Sequence, residues 1–203
     1  MKPILLAAAL LLSMPAVAQA AEQRLRDADL RPLFTAGALL CEKPDAQTGR
    51  CDAIYRWDVA AGAMRETRLE TVGGDPIVDM ALQSTVRIEA DQLCTTLDAD
   101  QMGYLFIVGG RGLTPDQAAP LREAVRTVYA AADGRVWCTA YYRDTLTGHL
   151  RAEVRVDGAP RLELDTTFRV IETSPLPPLR VVRQPWTAPV LRAAAALPTP
   201  PAS

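Results

Sequence analysis

Residues 135–172 read RVWCTAYYRDTLTGHLRAEVRVDGAPRLELDTTFRVIE. Three amphipathic runs are separated by two turns. In the second run Leu150, Ala152, Val154 and Val156 alternate with His149, Arg151, Glu153, Arg155 and Asp157. Alternation of period two puts the first set on a core and the second in water. Asp157-Gly158 is a two-residue hairpin signal. In the third run Leu162, Leu164, Thr166, Phe168 and Val170 face in, and Glu163, Asp165, Thr167 and Arg169 face out. In the first run Val136, Cys138, Ala140 and Tyr142 share a face, which sends Trp137, Tyr141 and Arg143 to the other side. The stretch therefore predicts an antiparallel three-stranded meander.

An earlier segment echoes this one. Cys51-x-Ala53-x-Tyr55-Arg56 aligns with Cys138-x-Ala140-x-Tyr142-Arg143, Gly62-x-Met64-Arg65 with Gly148-x-Leu150-Arg151, and the segment from Ser84 to Ile88 with that from Thr166 to Val170. Two accounts are open: a duplicated three-stranded unit, or chance similarity between amphipathic hairpins. Under duplication Cys51 and Cys138 are equivalent positions with non-equivalent partners.

The four cysteines, Cys41, Cys51, Cys94 and Cys138, allow three pairings. Glu42 to Arg50 is a loop of turn formers whose closure is cheap, which favours Cys41–Cys51 and leaves Cys94–Cys138. No C-x-x-C is present, and the single histidine, His149, is not at zinc-ligand spacing. Neither a metal nor a cofactor is expected.

Disulfides suit an oxidising compartment, and the N-terminus agrees. Lys2, the apolar run from Ile4 to Leu12, Pro15 and Ala18-Gln19-Ala20 form a secretory leader cut after Ala20. Its run is shorter than the roughly 20 apolar residues of a membrane span. The remaining 183 residues suit one domain, residues 21–175, followed by a Pro/Ala-rich tail, residues 176–203, expected to be extended or disordered. Leu179 to Val182 and Trp186 are candidates to pack back on the domain. Without the leader the chain holds 21 basic and 24 acidic residues, a net charge near −3. That balance argues against nucleic acid as a partner.

Between the two meanders the pattern reads as helical. Asp98 with Gln101, and Thr114 with Gln117, resemble capping boxes. The first predicts a helix through Val108. The second predicts a longer helix to about Ala132, with Pro115 at its first position and Pro120 in conflict with it. Ala118, Leu121, Val125, Val128 and Tyr129 keep helical spacing, so one face packs on the sheet.

Motifs that carry chemistry are scarce. His149 sits on the polar face at a strand start, away from any G-x-S-x-G nucleophile motif. Asp98-x-Asp100 lacks the later ligands of a calcium loop. Gly109-Gly110-Arg111-Gly112 lacks the lysine of a phosphate loop. Pro175-x-x-Pro178-x-Arg180 has the form of a polyproline ligand but fits a linker. The remaining candidate is the outward face carrying Trp137, Tyr141, Arg143, Arg151, Arg155 and Arg169. Arginines beside aromatics bind anionic glycans, and opposite charges paired across strands are also what a solvated sheet shows.

The sequence thus predicts an exported α+β domain. It has an antiparallel sheet built from two meanders, one long helix packed on it, and two disulfides. The expected role is non-enzymatic binding or envelope association, with another envelope protein or an anionic glycan as partner. The alternatives are a small envelope hydrolase and an inhibitor of a secreted enzyme.

Overall fold

The computed structural model describes residues 21–60, 62–72, 77–108, 110–171, 177–182 and 188–197. The expected leader over residues 1–20 and the expected packing of Trp186 lie outside the described residues. In chain order the elements are β1 (Glu22–Arg24), α1 (Asp27–Thr35), β2 (Leu39–Glu42), β3 (Ala53–Ala60), β4 (Ala63–Val72), β5 (Val78–Glu89) and β6 (Gln92–Thr96). Then come β7 (Gly103–Val108), β8 (Arg111–Gly112), α2 (Pro115–Tyr129), β9 (Val136–Asp144), β10 (Leu150–Val156) and β11 (Ala159–Pro160). Last are β12 (Thr166–Ile171), β13 (Val181–Val182) and α3 (Ala188–Ala195).

Eight of these strands close on themselves in the order β2-β3-β4-β5-β6-β9-β10-β12, every neighbour antiparallel. The seam that completes the ring joins β12 to β2, with Phe168 opposite Glu42 and Val170 opposite Leu40. The molecule is a closed up-and-down β-barrel with extra strands. It is not the α+β sheet with one long helix across it that the sequence predicts. Both meanders exist as parts of one closed cylinder, but the third run becomes a strand only from Thr166; Leu162–Leu164 form a 3-10 turn, and Leu162, expected to face in, is exposed. Closure turns the apolar faces of the strands inward, and α1 and α2 pack at the ends of the cylinder instead of across a sheet.

Helix α1 closes one end. Leu30 and Phe34 are fully buried, and the Phe34 ring lies 4.4 Å from Trp57 and 5.6 Å from Tyr141. Backbone amides of Asp27 and Asp91 each donate to the other's carboxylate at 2.9 Å, which fixes α1 to the β5–β6 turn. Helix α2 covers the opposite end. Its start is the expected capping box: the Thr114 amide donates to Gln117 Oε1 at 3.0 Å, and the Gln117 amide to Thr114 Oγ1 at 3.4 Å. Pro120 sits inside the helix without ending it. Buried Ala118, Leu121 and Val125 pack with Val72, Val78, Met80, Leu82 and Phe106.

Residues 103–108 correct the helix expected from Asp98. The Asp98 carboxylate accepts from the amides of Asp100 and Gln101, as a cap does, but the chain then leaves as strand β7. Its residues pair with β5 from Val78 to Gln83. Asx turns and helix caps share the same local hydrogen bonds, so the signal is common to both. The tail also packs more than its composition suggests. Leu179 joins the cluster around Cys41 and Ile54, Arg180 Nε lies 2.7 Å from Asp52 Oδ1, β13 pairs with β4, and α3 buries Val190 and Ala194 against α2.

The disulfides join Cys41 to Cys51 and Cys94 to Cys138, the favoured pairing. Their placement corrects one expectation. Cys41–Cys51 ties β2 to the chain entering β3, whereas Cys94 and Cys138 are directly opposed residues of β6 and β9, so Cys51 and Cys138 are not equivalent positions. Register supports part of the echo. Met64 opposes Val86, and Leu150 opposes Phe168, as aligned. The cysteine-containing element is out of step. Val59 opposes Met64 where Arg143 opposes Leu150, so Arg143 corresponds to Val59 and not to Arg56. An odd slip turns a strand over. Tyr55 accordingly packs in the core while Tyr142 lies outside beneath Arg151.

Among the described residues no helix is long and apolar enough to cross a membrane. The outer face of β10 carries Arg151, Glu153 and Arg155, where a lipid-facing strand would be apolar.

Candidate functional site

Alternation along the barrel strands puts an unusual set of side chains inside. On β3 and β4 Tyr55 opposes Arg68, and Trp57 opposes Glu66. Across the next pair Arg68 opposes Leu82, Glu66 opposes Ser84, and Glu70 opposes Met80. Leu82 and Met80 lie in the core, so Glu66, Arg68 and Glu70 point inward with them. Glu42 joins from β2. A small barrel is usually filled by apolar side chains; here one wall is ionic.

A cavity of about 490 Å³ lies against that wall. Its other sides are aromatic and aliphatic: Tyr141, Trp137, Phe168, Val154, Leu93 and, from the C-terminal turn of α2, Tyr129. Lys43 and Glu163, both exposed, also border it. The volume falls within the range of pockets that hold one small molecule.

The ionic wall is only partly satisfied. The Tyr55 hydroxyl donates to Glu42 Oε2 at 3.2 Å, and Trp57 Nε1 donates to Glu66 Oε2 at 3.1 Å. Arg68 Nη2 lies 3.0 Å from Glu70 Oε2 and 3.8 Å from Glu42 Oε2. The closer contact is a charge contact without hydrogen-bond alignment. Both Glu70 oxygens therefore lack a hydrogen-bond partner among the described residues, although the side chain is only 1% accessible. Arg68 keeps 30% of its side chain accessible while packed deep in the barrel, so its free surface faces the cavity. Arg68 Nε, Trp137 Nε1 and Thr166 Oγ1 are buried donors with no partner among the described residues, and all three residues line the cavity.

Burial pushes the Glu66 carboxyl up to about 7, against the lowering effects of the Trp57 hydrogen bond and the Arg68 charge. Burial raises Glu70 as well, with Arg68 pulling it back. Among the described residues Glu66 makes no ion pair. No group of three or more His, Cys, Asp or Glu among them could hold a metal ion.

The face expected to bind divides. Trp137 and Tyr141 turn into the barrel: Tyr141 is 3% accessible and packs with Phe34 and Phe168, and Trp137 lines the cavity. The first-strand alternation is thus read inside out. Ala140 on the opposite face is buried too, so polarity does not mark the face there. Arg143, half-buried, continues Tyr141's side at the end of β9. Arg151, Arg155 and Arg169 share the opposite parity, and those on β10 are engaged. Arg151 pairs with Glu22 at 2.6 Å and Glu153 at 2.7 Å over the Tyr142 ring, and Arg155 donates to the Gly158 carbonyl at 3.2 Å. His149 is exposed. The six residues do not form one surface.

Compared with protein-family models, with curated proteins and with solved structures, the chain finds no match in any of the three. The cavity and its ionic wall therefore carry the functional reading alone. Tyr55, Glu66, Arg68 and Glu70 escape sequence reading because charged residues occur on both faces of β4, Arg65 outside as well as Glu66 inside. The available signal is across strands: an Arg-Glu-rich strand pairs in a hairpin with one bearing Tyr55 and Trp57.

Proposed function

We propose that the protein is an exported, non-enzymatic binding protein that holds one small amphipathic molecule inside its barrel. The observation that carries this reading is the 490 Å³ cavity bordered by three donors without partners, Arg68 Nε, Trp137 Nε1 and Thr166 Oγ1. Buried donors without partners are costly, and a bound molecule or water supplies the missing acceptors. Two disulfides suit an oxidising compartment, which with the leader-like residues 1–20 supports a periplasmic or secreted location. Native mass spectrometry of the protein purified from its own source tests the reading. A small molecule bound at one copy per chain and released on unfolding is expected. Only apo protein, unresponsive to any small amphipathic probe, overturns it.

A second reading is favoured by Glu66. A carboxyl held near neutrality in a cavity is what a general acid requires, so a small hydrolase would depend on it. Turnover of a bound ester or glycoside, abolished in Glu66→Gln, separates the two readings.

A further inference from the structure

Charge in the barrel does not balance. Glu66, Arg68 and Glu70 share the inward side of β4, Glu42 reaches Arg68 from β2 on the far side of β3, and Arg68 is the single cation among the three glutamates. The charge of Arg68 is balanced by Glu70 at 3.0 Å and Glu42 at 3.8 Å. Glu66 has an indole N–H as its partner and, among the described residues, no cation within ion-pair distance. It lines the cavity, beside Tyr55 and across from the rings of Tyr141, Trp137 and Phe168. A buried carboxylate with no counter-charge is expensive, and a cation that reaches it relieves that cost. Aromatic faces around it add attraction for an ammonium group. An anionic head can accept from the unpartnered Arg68 Nε, but it would stand among the carboxyl groups of Glu42 and Glu66, which also line the cavity.

We infer that the barrel takes an amphipathic organic amine, its ammonium set against Glu66 and its apolar body along Leu93, Val154, Trp137 and Phe168. This rests on the cavity being a ligand site and adds the charge of the ligand. Glu42 also lines the cavity, and its charge strengthens the preference for a cation. Arg68, two residues from Glu66 on the same face, limits the ammonium to the Glu66 side of the cavity. The neutral portion of the ligand sets no demand beyond a fit to the apolar walls. Unpartnered Trp137 Nε1 and Thr166 Oγ1 offer donors to an ether, carbonyl or hydroxyl on that portion.

The test uses three probes of equal chain length, octylammonium, 1-octanol and octanoate, titrated calorimetrically into the full mature chain at pH 8. Octylammonium is expected to bind about tenfold or more tightly than octanol, the difference a charge-assisted contact provides, with octanoate the weakest. Glu66→Gln should bring octylammonium down to the affinity of octanol and leave octanol unchanged. At pH 5, where the Glu66 carboxyl is protonated, the wild-type preference should shrink in the same way, an arm that needs no variant. Octanol or octanoate binding as tightly as octylammonium overturns the cation assignment and leaves the binding reading standing. So does a preference that survives both Glu66→Gln and pH 5. No binding by any of the three overturns both.

Discussion

Trp57 Nε1 donates to Glu66 Oε2 at 3.1 Å from the position directly opposite on the neighbouring strand. This pairing fixes an acidic side chain inside a barrel whose other walls are apolar. It also leaves Glu66 uncharged below neutrality, because one indole N–H does not replace the water lost on burial. The arrangement couples stability to pH.

Glu66 titrates near 7 in the folded barrel, above its ordinary 4.5. Below about pH 4.5 it is neutral in both folded and unfolded chains, and its folded-state advantage is fully present. That advantage is lost as pH rises to about 7, a change of roughly 3 kcal/mol on conversion of the shift. Arg68 on the same strand, Glu42 on β2 and Trp57 on β3 are the groups that set it. Glu70 shifts in the same direction and adds to the trend. Urea unfolding midpoints should therefore fall from pH 5 to pH 8, and Glu66→Gln should flatten much of that slope. A wild-type midpoint that rises across this window contradicts the assignment.

The Arg68–Glu70 contact is a buried pair with imperfect alignment. Arg68→Ala strands Glu70 without a counter-charge and should destabilise the fold by about 3–5 kcal/mol. The double change Arg68→Met with Glu70→Gln should recover most of that loss. Denaturant unfolding of the three proteins measures it. Equal destabilisation in the single and double variants would show that packing, and not charge, carries the site.

How much of this was legible in the sequence depends on the range of the contacts. The Thr114 cap, the Asp157-Gly158 hairpin, the facing of β10 and the disulfide pairing follow from neighbouring residues or from loop cost, and the structure has them. Asp157 and Gly158 have φ of 50° and 80°, as a two-residue turn of that type needs. Closure of the barrel does not follow. It depends on β12 meeting the four-residue strand Leu39–Glu42, more than a hundred residues earlier, and nothing in local alternation specifies that partner. Inward polar residues mislead for the same reason. Glu66 and Arg68 read as solvent residues until the ring closes around them. On β9, Tyr141 and Ala140 are both buried, so binary pattern cannot choose a face.

The two disulfides differ in the length of chain they enclose, 10 and 44 residues of separation. The chain-entropy model gives about 3 kcal/mol for Cys41–Cys51 and about 4 kcal/mol for Cys94–Cys138. Alanine pairs at each site should lower stability in that order, read from denaturant midpoints. Thiol counting under denaturation without reductant should find no free thiol. Four free thiols would remove both bonds from the account.

Phe34 closes the α1 end of the barrel against Trp57 and Tyr141. Phe34→Ala should cost about 3–5 kcal/mol and should change the fluorescence of Trp57. A loss below 1 kcal/mol would mean that α1 is not the plug described.

The central claim is that the cavity receives a ligand, and Val154 tests it most directly. Val154 is a half-buried residue of β10 that faces the space and lies opposite Thr139. Titration of a neutral apolar fluorophore such as N-phenyl-1-naphthylamine should saturate at one molecule per chain, with enhanced emission and quenching of Trp137. Val154→Trp, which fills the cavity from its wall, should abolish that signal and leave the unfolding transition cooperative. Saturable binding that is unchanged in Val154→Trp, or no binding to the wild-type chain, would contradict the account.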